Sequence, residues 1–564
     1  AQHSERRCAT QGLSTMASTD PEEANAPLEE PLLEPETREE PVHLSTELAD
    51  LTGLTMAFFV SSVSWVAMKS TDTAILGHVG TRYLDATALS DLYTMSTGVF
   101  VQGRVLGVFV SQAIGADNKR LAGAWLQTSY AVLSLVLIPV AVAWLFTGPA
   151  LRLFVKNDTL VKDAAYYATV LALCLPARVG FSQLTQFFSA QKIMRPSYAT
   201  APIAMVLNLV LGLILVLGIG IPHWKGFGFK ACPVVTTCVE YVQLAIVVIV
   251  FCVIKKLHAA CEPDNGWFSM KEITSERFIA YIKMYAPAAL AIASDFWRMT
   301  AVGAVAASLS EDDLGVFNAS YRIMWMALTL TGSLGGAIAT KLGLRLGAGD
   351  AKGARQGVRI GLVVSVVLLS IIVLVVITIP RQLAKIFTND AKLLDLFERC
   401  RYEFAAALFM MNFAVVCERV PFGMGRAKAV LYAGAVGSWV GQVPAVILCV
   451  EFWRRDLRSV YTGVAAGYAL LVVVLLGIIF ATDWRRVVLD EAHTIRNRKT
   501  KTFEAAMALE TTHAWCVTGT PMVNRVDDFQ PLLAFVKCMP VDDASTFGRA
   551  IARPIRERDQ SGLA

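Results

Sequence analysis

The feature that most limits what this chain can fold into is a succession of long apolar runs, among them Ile360–Ile379, Val464–Phe480 and Val242–Ile254 with its apolar flanks. A helix needs ~20 mostly apolar residues to cross the ~30 Å hydrocarbon core of a bilayer. A buried helix of a soluble domain rarely needs that much. Only 17% of the 564 residues are charged, against ~25% in soluble domains, and the mean hydropathy is +0.51. The chain therefore reads as an all-α polytopic membrane protein rather than a soluble enzyme. About twelve spans are expected, at residues 54–76, 88–112, 123–147, 164–184, 198–220, 234–254, 284–308, 316–340, 358–380, 402–420, 429–450 and 460–481.

Residues 1–43 are polar and include PEEANAPLEEPLLEPETREEP, a composition that buries too little apolar area to offset the entropy of ordering, so a disordered acidic tail is expected. The tail has neither the apolar core of a signal peptide nor the Arg-rich make-up of a transit peptide, which leaves insertion to the first span. The net charge of +5 gathers in loops and in the C-terminal segment and says little about nucleic acid. Eleven cysteines are scattered singly, with no CxxC pair and no neighbouring histidine cluster, so neither a metal site nor a disulfide framework is expected.

The longest break between spans, Lys255–Lys283, separates two sets of six, as a duplicated ancestral half would. The expected organisation is a six-helix bundle over 44–254, a cytoplasmic linker over 255–283 and a second bundle over 284–482. Two anchors carry the repeat. Gly115-Ala116 after the second span and Gly347-Ala348 after the eighth are 232 residues apart, and so are Asn157-Asp158 and Asn389-Asp390. Basic residues at Lys119-Arg120, Lys192/Arg195, Lys255-Lys256, Lys341/Arg345/Lys352/Arg355 and Arg426/Lys428 share one side if the spans alternate. The positive-inside rule makes that side cytoplasmic, although Arg381, Lys385, Arg399, Arg401, Arg454, Arg455 and Arg458 oppose it.

Three stretches, DTAILGHVG (72–80), SQAIGADN (111–118) and RLGAGDAKGARQ (345–356), make the chain similar to the multidrug and toxic compound extrusion (MATE) family, nearest its eukaryotic, plant-like members, over about residues 45–482. Small residues at such turns let helices approach closely, and Asn or Asp beside Gly caps the next helix. The resemblance implies two six-helix bundles set in a V around a cleft. It further implies export of organic cations or other amphiphilic compounds against protons or sodium, from a plasma or organellar membrane, with no cofactor beyond the coupling ion. A monomer is expected, with the bilayer and a small organic molecule as its partners.

A charged side chain at bilayer depth costs at least ~2.5–3.5 kcal/mol, so ionisable residues within spans default to function or to pairing. Asp295 lies mid-way along the seventh span in ASDFWRM, matching the acid that plant-like members place two residues before a Trp, here Trp297. It is the expected ion-coupling carboxylate. Arg298, three residues on and on the same helical face, is its alternative static partner. Glu418 and Arg419 end the tenth span in a similar way, with interfacial snorkelling as the competing reading for Glu418. Asp72 matches the family's Asp-Thr motif. Asp91 and Arg104 lie in the second span; Arg104 is unusual for the family at that depth, and its expected partner is Asp91. Tyr93, Phe100, Phe181, Phe187, Phe296, Trp297 and Trp325 are candidates to line a cleft for cationic rings. Asn208, Gln243 and Asn318 are in-span amides that either bond across helices or touch substrate.

After Phe480 the composition changes. WRRVVLDEAHTIRN (484–497) and CVTGTPMVNRVDDF (516–529) resemble the Swi/Snf-type helicase-like ATPases. Residues 483–564 then read as part of one α/β lobe, in which a strand at 487–489 would deliver Asp490 and Glu491 of the DEAH motif, with His493, toward magnesium. Thr518, Gly519, Thr520 and Pro521 would form the sensing motif of the same lobe. The chain contains no GxxxxGK[ST] loop to cradle a triphosphate, so a vestigial site without ATP hydrolysis or nucleic-acid binding is expected. The competing functions are a nucleic-acid-dependent ATPase, an organic-acid exporter of the same family, and a lipid-head-group flippase, for which the spans offer few cations.

Overall fold

The computed structural model describes residues 44–101, 104–267, 269–386, 390–482, 486–490, 495, 497, 498, 500, 503, 507, 513–517 and 526–555. The expected disorder of residues 1–43 lies outside this set. Among the described residues ten helices are long and apolar enough to cross a membrane: Leu44–Val79, Thr81–Gly115, Lys119–Leu145, Arg195–Val216, Gly228–Ile254, Asp312–Gly347, Ala351–Thr378, Arg401–Gly423, Ala427–Trp453 and Leu457–Phe480. The pair Asp158–Ala172 and Leu175–Ala190, bent by 48°, makes an eleventh span, the fourth in chain order. Its bend falls at Leu173 and Cys174, just before Pro176, whose missing N–H suits the first turn of the following helix. The expected seventh span corresponds to the helix Ser275–Ala307, 33 residues long and carrying Asp295 and Arg298. It is not among the helices apolar enough to cross a membrane, so the described residues give ten or eleven such spans where about twelve are expected.

Several helices outrun their expected spans. The eighth extends seven residues beyond 340, to Gly347, on the side the charge pattern makes cytoplasmic. The cap chemistry of the repeat is realised in both halves. Asn118 accepts the Leu121 N–H at 3.0 Å to start the third span, and Asp350 accepts the Gly353 N–H at 2.7 Å to start the ninth. The residue before each cap is left-handed, Asp117 at φ 53° and Gly349 at φ 76°. The second anchor caps as well: Asn157 opens Asp158–Ala172, and Asp390 opens Ala391–Arg399.

The two halves meet where the repeat meets itself. A Cβ on Gly115 would stand 2.0 Å from the Leu344 carbonyl oxygen and 3.0 Å from the Gly347 Cα, and one on Gly347 would stand 2.1 Å from the Gln112 carbonyl oxygen. Ser111 and Gly343, again 232 residues apart, touch in the same way. Equivalent residues of the two halves thus lie against each other, as they must beside a pseudo-twofold axis. Around this crossing Gln112 Nε2 donates to the Gly423 carbonyl at 3.2 Å. Glu47 of the first span takes Lys341 at 3.0 Å and Arg345 at 2.7 Å from the eighth.

Between the halves, Glu272 anchors the connecting segment by accepting from the Asn265 side chain at 2.7 Å and from Arg277 at 2.7 Å. These bonds hold its carboxyl below the usual glutamate range, the Asn265 side chain acting most strongly. Beyond the twelfth span, strands β1 (Arg486–Asp490) and β2 (His513–Val517) pair in parallel, Val488 opposite Trp515. A small apolar cluster of Ile495, Phe503, Leu532, Ala534 and Phe535 follows. The expected strand at 487–489 is therefore present, with Asp490 at its end. Glu491, His493, Thr518, Gly519, Thr520 and Pro521 lie outside the described residues.

Candidate functional site

Each half holds its own charged cluster. In the second half the seventh span brings Asp295 and Arg298 one helical turn apart, and their charged atoms meet at 3.1 Å. The two ends of this pair differ. The Arg298 side chain is 6% exposed and the Asp295 side chain 43%. Arg298 is fixed from the far side, donating to Ser438 Oγ at 3.0 Å and to Tyr468 OH at 2.8 Å, with its guanidinium over the Tyr468 ring. Ser438 lies in a π-helical stretch of the eleventh span, Val436–Gln442, a wide turn often found at functional sites. A Cβ on Gly467 would stand 2.2 Å from the Gln442 Cβ, so only glycine there lets the twelfth span bring Tyr468 this close. Trp439 donates to Ser294 at 2.9 Å, pinning the turn beside Asp295. Glu418 is part-buried, and its charge acts on both Asp295 and Arg298. Arg298 is ion-paired to Asp295, and Glu418 from the tenth span acts on both through its charge without an ion pair to either.

The first half holds a larger network. Asp72 is buried and accepts from Asn208 Nδ2 at 2.7 Å and from Thr236 Oγ1 at 3.0 Å. Asn208 thus bonds across helices. Arg178 grips Glu240 with two bonds of 2.5 and 3.1 Å, and Lys69 lies 4.0 Å from Asp91. The expected partnership of Arg104 with Asp91 is corrected by this geometry: Asp91 turns to the first span and Lys69. Sequence reasoning passed over Lys69, Arg178 and Glu240, although each falls inside an expected span and so carried the signal used for Asp295. Breaking a buried ion pair by removing one partner costs about 3–5 kcal/mol. Glu240→Ala, which leaves Arg178 without its acid, is accordingly expected to lower the melting temperature of the purified protein by several degrees more than the isosteric Glu240→Gln. A thermal melt checks this.

Of the aromatic candidates, Trp297 and Trp325 are exposed, with Phe296 6.5 Å from the Trp325 ring. Phe187 is fully buried against Phe188 and Trp267, which removes it from the cleft. Tyr93 is part-buried and donates to the Ala143 carbonyl at 3.1 Å, a packing role. Asn318 is exposed and Gln243 part-exposed. Among the described residues no group of three His, Cys, Asp or Glu side chains is placed to hold a metal ion.

A family model described as MatE matches residues 57–214 and 287–447, one range in each half, which include Asp72, Asn208 and Arg178 of the first cluster and Asp295, Arg298, Glu418 and Ser438 of the second. The chain belongs to the MatE family. Multidrug and toxin extrusion protein 1 of Xenopus tropicalis is 24% identical over 459 residues, 80% of this chain and 77% of that protein. The crystal structure of the eukaryotic MATE transporter AtDTX14 superposes with a TM-score of 0.70 at 20% identity, covering 78% of this chain and 97% of its own. The MatE body is thus an integral, multi-pass membrane transporter and not an enzyme. A second model, the SNF2-related domain, matches residues 475–564. There the chain is 41% identical over 85 residues to DNA repair protein RAD5A of Arabidopsis thaliana, spanning only 8% of that protein. The MatE chain therefore carries a helicase-like segment after its last span.

Proposed function

We propose that the chain is a secondary antiporter that exports organic cations or other amphiphilic compounds in exchange for protons or sodium, and that Asp295 is the carboxylate at which the exchange occurs. The observation that carries this reading is the asymmetry of the Asp295–Arg298 pair. Arg298 is sequestered and held by two neutral groups besides the acid, whereas Asp295 is open to incoming species. A proton or sodium ion arriving at Asp295 neutralises it without freeing Arg298, which keeps Ser438 and Tyr468. An organic cation that needs the same carboxylate is then excluded, and mutual exclusion at one site is what couples two opposed flows. Glu418, acting on the same arginine, offers a second carboxylate to the same ion.

The C-terminal segment is proposed to hydrolyse no ATP and to bind no nucleic acid, and the transporter to act as a monomer. The test of the main reading is efflux of tetramethylrhodamine methyl ester, a fluorescent organic cation, from liposomes containing the full chain, under imposed proton or sodium gradients. Efflux driven by one of them supports the antiporter and names its ion. Efflux indifferent to both removes it.

A further inference from the structure

Arg104 is a charge that this exchange leaves unused. It stands on the second span two turns from Ser111, where the halves touch through Gly343. On the eighth span, Gly335 is two turns from Gly343 in the same direction, and its face is covered by Arg419, whose Cγ would lie 2.7 Å from a Cβ at Gly335. In the sequence, the 232-residue offset carries Gly335 to the position next to Arg104. Arg104 from one half and Arg419 from the other therefore come to the same level just beyond the crossing, and their charges act on each other. The Arg104 side chain is exposed. Among the described residues, neither guanidinium has an ion pair or a hydrogen bond. The acid nearest to Arg419 is Glu418, whose charge is shared with Arg298.

Two unpaired like charges at bilayer depth are costly singly and repel each other. An incoming anion relieves both costs, and a guanidinium fork matches a carboxylate with two parallel bonds. We propose that Arg104 and Arg419 form a recognition site for the acidic group of the exported molecule, so that the preferred substrates are amphoteric organic compounds. The acid would rest on the arginine pair and the cationic group would exchange with the coupling ion at Asp295 and Glu418. Glu418 and Arg419 are consecutive residues, which makes the two subsites contiguous. The inference rests on the exchange reading above for its cationic half only.

The test is equilibrium binding of two matched dyes to the purified full chain in detergent, followed by fluorescence anisotropy. Tetramethylrhodamine carries a free carboxylate beside its cationic ring system, and its methyl ester carries the cation alone. Wild type is expected to bind the acid about tenfold more tightly than the ester, the scale of one charge-assisted hydrogen bond. Arg104→Gln and Arg419→Gln are each expected to abolish the preference without weakening ester binding, since removing a positive charge beside the cation subsite favours the ester if it acts at all, and Arg104→Lys is expected to restore part of the preference. Equal affinities in wild type, or a preference that survives both Gln variants, overturns the proposal. So does displacement of the acid dye by excess phosphatidylglycerol in wild type, since the arginines would then hold a lipid headgroup. Because this readout needs no gradient, a wild type that prefers the acid but shows no gradient-driven efflux sinks the exchange reading and leaves the anion site standing.

Discussion

Asp295→Asn is expected to reduce gradient-driven efflux to the leak of protein-free vesicles while leaving a folded, membrane-inserted protein. The substitution keeps size and shape, and the amide oxygen still accepts from the Arg298 group that lies 3.1 Å away. Arg298 also keeps Ser438 and Tyr468, so the arginine is not stranded. Because the amide keeps a bond to Arg298, the stability cost is expected to stay below the ~3–5 kcal/mol of removing one partner of a buried pair. What is removed is the capacity to bind a proton or sodium ion and to lose it again within a cycle. Arg298→Ala is the contrasting variant. It strips Ser438 and Tyr468 of their shared donor and opens space beside the π-helical turn, so it is expected to lower the melting temperature as well as transport. The paired measurement is initial efflux rate and thermal midpoint for both variants. If Asp295→Asn exchanges with the gradient dependence of wild type, Asp295 is only the partner of Arg298 and the coupling site lies elsewhere, with Glu418 and Asp72 next to be tested.

That pair also marks the boundary of what the primary structure discloses. Asp295 and Arg298 are three residues apart on one helix, a spacing that fixes their proximity before any fold is known. Arg178 and Glu240 lie 62 residues apart, and Glu47 and Arg345 lie 298 apart. Their meeting depends on how each helix is rotated about its axis, which apolar spans surrounded by lipid leave undetermined. The spans themselves were legible because bilayer thickness imposes a length on every run. The division into halves was legible because duplicated turns kept their Gly-Ala and Asn/Asp residues. The error over Arg104 and Asp91 has the same origin as the omission of Lys69. Partners were sought within one span, while the acid turned to a neighbouring helix. Phe187 was misplaced for a related reason, since an aromatic residue in a span is equally suited to lipid, cleft or core, and only packing decides among them.

The repeat that the sequence discloses has a mechanical consequence at the crossing of the second and eighth spans. Gly347→Leu is expected to abolish transport and to lower thermal stability, because even its Cβ would fall 2.1 Å from the Gln112 carbonyl oxygen and 3.0 Å from the Ala116 nitrogen. Both are backbone atoms of the opposite half and cannot rotate away, so the halves must separate there. Overpacking of a close contact typically costs about 1–3 kcal/mol. Separation also pulls Lys341 and Arg345 from Glu47, which is buried and would be left without its two cations. The neighbouring contact predicts a gradation. At Gly343 the atoms closest to an added Cβ are the Ser111 Oγ at 2.0 Å and Cβ at 2.9 Å, one side chain rather than the backbone carbonyl and nitrogen that oppose Gly347, so Gly343→Ala is expected to cost less than Gly347→Ala. Gly332 lies on the same helix, and a Cβ there would meet nothing within 4 Å, which makes Gly332→Leu the control for lost glycine alone. Melting temperature and efflux rate should therefore fall in the order Gly332→Leu, Gly343→Ala, Gly347→Ala, Gly347→Leu. Equal effects at Gly332 and Gly347 would mean that the crossing does not hold the halves together. Under the exchange proposed above, access that alternates would have to part the halves here, and a contact made of glycines and backed by Glu47 with Lys341 and Arg345 is close enough to seal and simple enough to release.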